Sequence, residues 1–219
     1  MSSRVVAVAA LILGSAMLAQ PAAAQYRVHY GFYQAPPMEP SVTLYGGYMN
    51  MGQYVNGPLG TSTSGGDAGL LGGQITLPLS PNFALVGNAA HANSNLVFYA
   101  PTGGGPTIGN SEVWLFDGDL QLSAPFRGYG AHWVNPFFQF GAGAMRYQTQ
   151  NAAGATNSTN FAFNVGGGLD YYVSRSVAFR ILAKDYVGYW SHNPGGYPYY
   201  YSGRYTSNWS ISGGLLFAL

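Results

Sequence analysis

Three things are scarce in this sequence of 219 residues, and each scarcity removes a class of protein. Cysteine is absent, which rules out a disulfide framework and any thiolate metal site. Charge is sparse: Asp, Glu, Lys and Arg make up 7% of the chain, where a water-soluble globular protein carries roughly a quarter. A surface so poor in charge aggregates in water unless a non-aqueous phase covers it. Long apolar runs are missing after the N-terminus, so no segment supplies the roughly 18 consecutive apolar residues of a spanning helix.

The apolar N-terminus is of a different kind. Arg4 precedes the stretch from Val5 to Ala19, and Pro21 leads into Ala22-Ala23-Ala24. A basic start, a short apolar segment and an A-x-A pattern describe a secretory signal peptide over residues 1–24, cut after Ala24. Losing Arg4 leaves seven basic against seven acidic side chains. This balance gives no broad positive field, so nucleic acid is not an expected partner. Residues 25–40 are rich in Pro and aromatics and read as a periplasmic N-terminal extension.

What is abundant is glycine, aromatic residues and alternation. From residue 41 onward, apolar and polar side chains alternate with period two, the signature of strands whose two faces see different surroundings. At the C-terminus Trp209, Ile211, Gly213, Leu215, Phe217 and Leu219 share one parity, and Asn208, Ser210, Ser212 and Gly214 hold the other. Seven similar segments precede it, at about Ser41–Met49, Ala68–Leu77, Phe83–Ala92, Glu112–Leu122, Val134–Tyr147, Asn160–Tyr171 and Val177–Val187. The connectors alternate short and long. Eight strands, short turns on one side and longer loops on the other predict an all-β fold: an eight-stranded antiparallel up-and-down transmembrane β-barrel over residues 41–219. A water-soluble barrel of the same size would invert the faces and place many Lys and Glu outside. Here the polar parity is Gly, Asn, Ser and Gln. Aromatics at strand ends (Phe83, Tyr171, Tyr172 and Phe217 toward the turns; Tyr48, Trp114, Tyr147, Tyr189 and Trp209 toward the loops) are expected as interfacial girdles.

Five charged residues, Asp117, Asp119, Asp170, Arg180 and Lys184, fall on the inward parity. An eight-stranded barrel is narrow enough for side chains to fill, and charges buried there need partners. We expect a luminal ion-pair network. With Tyr171 opposite Val177 in the simplest register, Asp170 lies diagonal to Arg180, and Asp119 approaches Arg180 across the lumen. The last long loop carries Tyr189, Trp190, Tyr197, Tyr199, Tyr200 and Tyr201, rigid amphipathic rings suited to surface contact. Packing on lipopolysaccharide headgroups is the plainer role for them. No His pair has metal spacing and no phosphate-binding loop is present, so no cofactor is expected. His91, Ser94, Ser111 and Glu112 share one outer region in which a lipid-modifying enzyme would place its groups.

The segment Phe163-Asn164-Val165-Gly166-Gly167-Gly168-Leu169-Asp170-Tyr171, followed by Val177-Ala178-Phe179-Arg180-Ile181-Leu182-Ala183-Lys184-Asp185-Tyr186, resembles the penultimate hairpin of the eight-stranded outer-membrane barrels of the OmpA and opacity-protein type. Asn135-Pro136-Phe137 with Gly141-Ala142-Gly143 is similar to that family's fifth strand. The resemblance spans about residues 41–219. It implies residence in the bacterial outer membrane among lipid and lipopolysaccharide, assembly by the barrel-insertion machinery, and a non-enzymatic structural, adhesive or recognition role. Members usually close on an aromatic residue, and this chain closes Phe217-Ala218-Leu219. A small passive channel is the alternative reading, and a lipid-modifying enzyme the third.

Overall fold

The computed structural model describes residues 38–56, 62–100, 103–127, 132–151, 154–190 and 204–219. Its strands in chain order are β1 (Ser41–Asn50), β2 (Gln53–Asn56), β3 (Ser62–Gly65), β4 (Asp67–Ser80), β5 (Phe83–Ala100), β6 (Gly103–Ser123), β7 (Phe126–Arg127), β8 (Trp133–Asn151), β9 (Gly154–Tyr172), β10 (Val177–Trp190) and β11 (Arg204–Ala218). Eight of these make the barrel wall: β1, β4, β5, β6, β8, β9, β10 and β11 pair in that order, all antiparallel. The pairing of β1 with β11, from Ser41 opposite Ala218 to Asn50 opposite Trp209, closes the ring. Closure satisfies the wall strands on both sides within the ring and leaves the ring without an edge.

The wall sorts side chains as the alternation requires. Leu71, Phe163 and Leu44 stand outward at 70%, 64% and 62% exposure. Outward Leu, Ile, Val, Phe, Gly and Ala continue around the barrel as a belt with no charged side chain among the described residues. Asn50, Asp67, His91, Glu112, Arg146 and Asp185 border this belt on the loop side. From Phe83 to His91 the belt is roughly 20 Å tall at the usual strand rise and tilt. That is close to the apolar height of an outer-membrane barrel, about 25 Å.

Beyond the border the wall does not dissolve into loops. β5 has 18 residues and β6 has 21, and they stay paired up to Ala100 opposite Gly103. β8 and β9, 19 residues each, pair out to Asn151 opposite Gly154. The sequence led us to expect long loops there. Once water reaches both faces, apolar alternation is no longer needed, while the backbone ladder persists, so polar Asn-, Ser-, Thr- and Gly-rich sequence forms strand without showing its period. The same reasoning covers the short β2–β3 pair, which continues the sheet next to β5.

Two girdle positions are corrected. Tyr147 is 3% exposed and points into the barrel, and Tyr172 lines its turn-side mouth. Tyr48 and Trp209 do face outward, with ring centroids 5.6 Å apart, as do Trp114, Phe83, Tyr171 and Phe217.

Candidate functional site

The lumen has two layers, and the sequence suggested one. In the loop-side half, Met49, Leu70, Ala92, Val113, Leu115 and Met145 are all buried and form one apolar cluster with Tyr45, Tyr147 and Tyr186. In Val113-Trp114-Leu115-Phe116 both parities are apolar: 113 and 115 fill the barrel while 114 and 116 face out. The reading of the inward parity as Gly, Asn, Ser and Gln therefore does not extend to this half. It is an apolar plug, buried like a soluble core, with Asn208 reaching Met145 Sδ at 3.9 Å.

Beneath the plug lies the charged layer, to which the structure brings all five inward charges. β9 and β10 place Asp170 directly opposite Arg180. The guanidinium donates from Nε to Asp170 Oδ1 at 2.6 Å and from Nη2 to Oδ2 at 2.9 Å, and its Nη1 donates to Gln74 Oε1 at 2.8 Å. Asn135 Nδ2 adds a bond of 3.3 Å to Asp170 Oδ2. The Phe137 ring lies with its centroid 4.5 Å from the guanidinium carbon, a cation–π contact. Gly168 makes room for this ring: a Cβ there would approach Phe137 Cζ to 2.5 Å.

The expected diagonal register is corrected by two residues. Tyr171 pairs with Phe179, not Val177, because the turn takes residues 173–177 out of the β9–β10 ladder. Ser174 Oγ accepts from Val177 N at 3.0 Å and from Ser176 N at 3.3 Å and so fixes this longer turn. Parity survives a shift of two, so every residue keeps its face.

The expected partner of Asp119 is also corrected. Asp119 binds Lys184, with Nζ to Oδ2 at 2.6 Å, and not Arg180. Lys184 Nζ also holds both oxygens of Asp117, at 2.9 and 3.0 Å. Arg180 and Lys184 both sit on β10 but four residues apart, so each serves a different depth. Around Lys184 a neutral chain completes the set: Tyr45 Oη donates to Asn88 Oδ1 at 2.6 Å, and Asn88 Nδ2 donates to both Asp117 oxygens at 2.9 Å. The Tyr186 ring centroid lies 5.2 Å from Lys184 Nζ. All five charged side chains are at most 3% exposed. Gln74, Asn88, Tyr45 and Phe137 are the members that sequence reasoning did not single out. Their inward parity was readable, but which strand faces which across the lumen was not.

On the turn side of Arg180 a small cavity of about 80 Å³ opens among Glu39, Ser41, Thr76, Asn135 and Tyr172. Among the described residues no three His, Asp or Glu side chains gather as a metal site.

The four residues considered for lipid chemistry are split by the wall. Ser94 and Ser111 pair across β5 and β6 and are buried inside, Ser94 Oγ donating to Gly66 O at 2.6 Å. His91 and Glu112 stand on the other face, with His91 Nε2 3.9 Å from Glu112 Oε2 and its ring centroid 4.5 Å from that of Trp114. No hydroxyl lies within reach of the imidazole in this set, so the four do not form a nucleophile–base pair. Of the loop aromatics, Tyr189 and Trp190 end β10 on the loop side, opposite Tyr205 and Arg204. Tyr197, Tyr199, Tyr200 and Tyr201 lie outside the described residues.

No protein-family model matches the sequence, and no curated protein matches it. Solved structures do match in fold. The outer membrane protein OprG from Pseudomonas aeruginosa superposes with a TM-score of 0.59 at 10% identity, over 85% of this chain and 99% of that one. Neisserial surface protein A superposes with a TM-score of 0.55 at 10% identity, over 82% and 97%. By its closed ring, its strand number and these neighbours, the chain has the fold of the eight-stranded bacterial outer-membrane β-barrels.

Proposed function

We propose that this chain is an outer-membrane barrel whose wall is anchored in lipid, whose lumen is closed by its own side chains, and whose work is done at the loop-side surface. Residues 1–24 direct export and are removed, residues 25–40 remain in the periplasm, and residues 41–219 span the membrane. The observation that carries this reading is the pairing of a charge-free outward belt with a lumen sealed by the Met49–Leu115–Met145 plug over ion-paired Arg180 and Lys184. Apolar outside and filled inside is what a lipid-embedded barrel requires and what a conducting one avoids. The role is structural or one of surface contact, adhesion or recognition. The aromatics from Tyr189 to Tyr201 offer the contact surface, with lipopolysaccharide as their immediate surroundings.

Two measurements test it together. Tags placed between Ala100 and Gly103 and between Asn151 and Gly154 are expected to be cleaved by protease added to whole cells, while a tag in the turn at Ser174 is protected. Purified barrel in planar bilayers is expected to give no unitary current. Reversed tag accessibility would overturn the membrane orientation, and steady unitary conductance would overturn the closed lumen in favour of a passive channel.

A further inference from the structure

Charge does not balance among the described side chains inside the barrel. Three carboxylates, Asp117, Asp119 and Asp170, share the lumen with two cations, Arg180 and Lys184. Among these groups acids outnumber cations by one, and the hydrogen bonds single out one oxygen. Arg180 and Asp170 neutralise each other through two bonds. Both oxygens of Asp117 accept from Lys184 and from Asn88. Asp119 gives Oδ2 to Lys184, and its Oδ1, in a side chain with 0% exposure, is the one oxygen of the three carboxylates without a hydrogen-bond partner.

Other buried polar atoms without partners stand on the strands beside that oxygen. Asp119 pairs across the wall with Gly141 of β8, and Gly141 pairs in turn with Asn164 of β9. A Cβ on Gly141 would collide with Asp119 Oδ1, so the oxygen leans over the space this glycine leaves empty. Asn164, on the other side of Gly141 in the ladder, is buried, and neither atom of its carboxamide has a partner. Gln139, the next lumen-facing residue on β8, commits its Nε2 to Gln121 and leaves Oε1 free. Asp119, Gln139 and Asn164 are 4%, 0% and 5% exposed. Leaving such a group unsatisfied inside a protein is costly, more so if it is charged.

We propose that Asp119, Gln139 and Asn164 form a luminal binding site for one monovalent metal cation, sodium or potassium. A proton on Asp119 would satisfy that oxygen and one acceptor. A metal ion satisfies a carboxylate oxygen and two amide oxygens at once and cancels the surplus charge. Magnesium and calcium are disfavoured, because these hard divalent ions draw on more carboxylates or retain several waters, and only one carboxylate oxygen is free here.

The test compares refolded barrel in lipid vesicles at constant ionic strength, with sodium, potassium or choline chloride. A ligand bound only by the folded state lowers the unfolding constant about tenfold per tenfold rise in its concentration above saturation. That dependence is expected with sodium or potassium, absent with choline, and lost in Asp119→Asn. Equal stabilisation by choline overturns the site, as does undiminished cation dependence in Asp119→Asn. Stabilisation by acid with no response to either metal ion also overturns it, in favour of a proton. Should Asp119→Asn not refold, crystals of the unaltered barrel soaked in thallium(I) decide: an anomalous peak in contact with Asp119 Oδ1 supports the site, and its absence rejects it.

Discussion

Arg180 grips Asp170 across the β9–β10 ladder with two parallel bonds, 2.6 and 2.9 Å long, while both side chains are withdrawn from solvent. The fork geometry uses the planarity of guanidinium, which an ammonium group cannot reproduce. Removing one partner of such a pair leaves an uncompensated buried charge. Arg180→Ala is therefore expected to destabilise the refolded barrel by about 3–5 kcal/mol, read from urea unfolding in lipid vesicles. Arg180→Lys is expected to recover only part of this. An unchanged midpoint in Arg180→Ala would show that the pair contributes nothing to folding.

Lys184 is the hub of the deeper level, since it alone bridges Asp117 and Asp119. Lys184→Met leaves two carboxylates facing each other without their cation, and its loss of stability is expected to exceed that of Arg180→Ala. Adding Asp117→Asn and Asp119→Asn removes the stranded charges and is expected to restore much of the loss. Failure of the triple variant to improve on Lys184→Met would mean that packing of the lysine stem, not charge, is what matters.

The plug gives a different kind of expectation. Leu115 is fully buried among Met145, Val113 and the other apolar side chains of the loop-side half. Leu115→Ala is expected to lower stability by about 2–5 kcal/mol through lost transfer energy and an unfilled void. Leu115→Met nearly conserves volume and is expected to lose less than about 1.5 kcal/mol. Equal effects for the two substitutions would contradict close packing of this layer.

Depth across the wall is testable from outside. Ile181 is outward at mid-belt, 57% exposed, whereas Asn93 is outward at the loop-side border opposite Glu112. If the belt meets acyl chains, Ile181→Arg is expected to cost about 2–4 kcal/mol and Asn93→Arg about 0–1 kcal/mol. In a water-exposed barrel both would be neutral, so refolding free energies in vesicles separate the two situations.

The turn at Ser174 sets a register on which the Arg180–Asp170 alignment depends. Ser174→Ala removes the acceptor of two backbone bonds and is expected to cost about 0.5–1.5 kcal/mol. The cross-strand pairing itself, checked by amide-to-amide contacts in NMR spectra, is expected to persist.

How much of this could be read from sequence follows from which forces leave a period in it. The lipid-like exterior imposes strict alternation, so Leu71, Ile75, Phe161 and Phe163 announced both their strands and their face, and the inward parity of Asp117 to Lys184 came with them. The upper plug left no contrast, because Val113 and Leu115 are as apolar as their outward neighbours Trp114 and Phe116. The register of β9 on β10 was invisible because a slip of two residues preserves every face, and what distinguishes the alternatives is the serine turn together with the Arg180–Asp170 alignment. Which acid met which base depended on that register and on the relative depth of strands far apart in the chain. That is why Asp119 was matched with the wrong cation. The polar ends of β5, β6, β8 and β9 look like loop because hydrogen-bonded backbone in water asks little of its side chains.

Those paired ends have a mechanical consequence. With β5 and β6 still paired from Asn93 to Ala100, some eight residues, through register shifts on either side of Val97, the hairpin rises roughly 20 Å above the belt at the usual rise and tilt. It stands as a paired ribbon and not as a tether. If the loop side faces outward as proposed, a ligand would meet this paired end near Ala100 and Gly103 before it met the ring. A peptide grafted there would stand clear of the belt below.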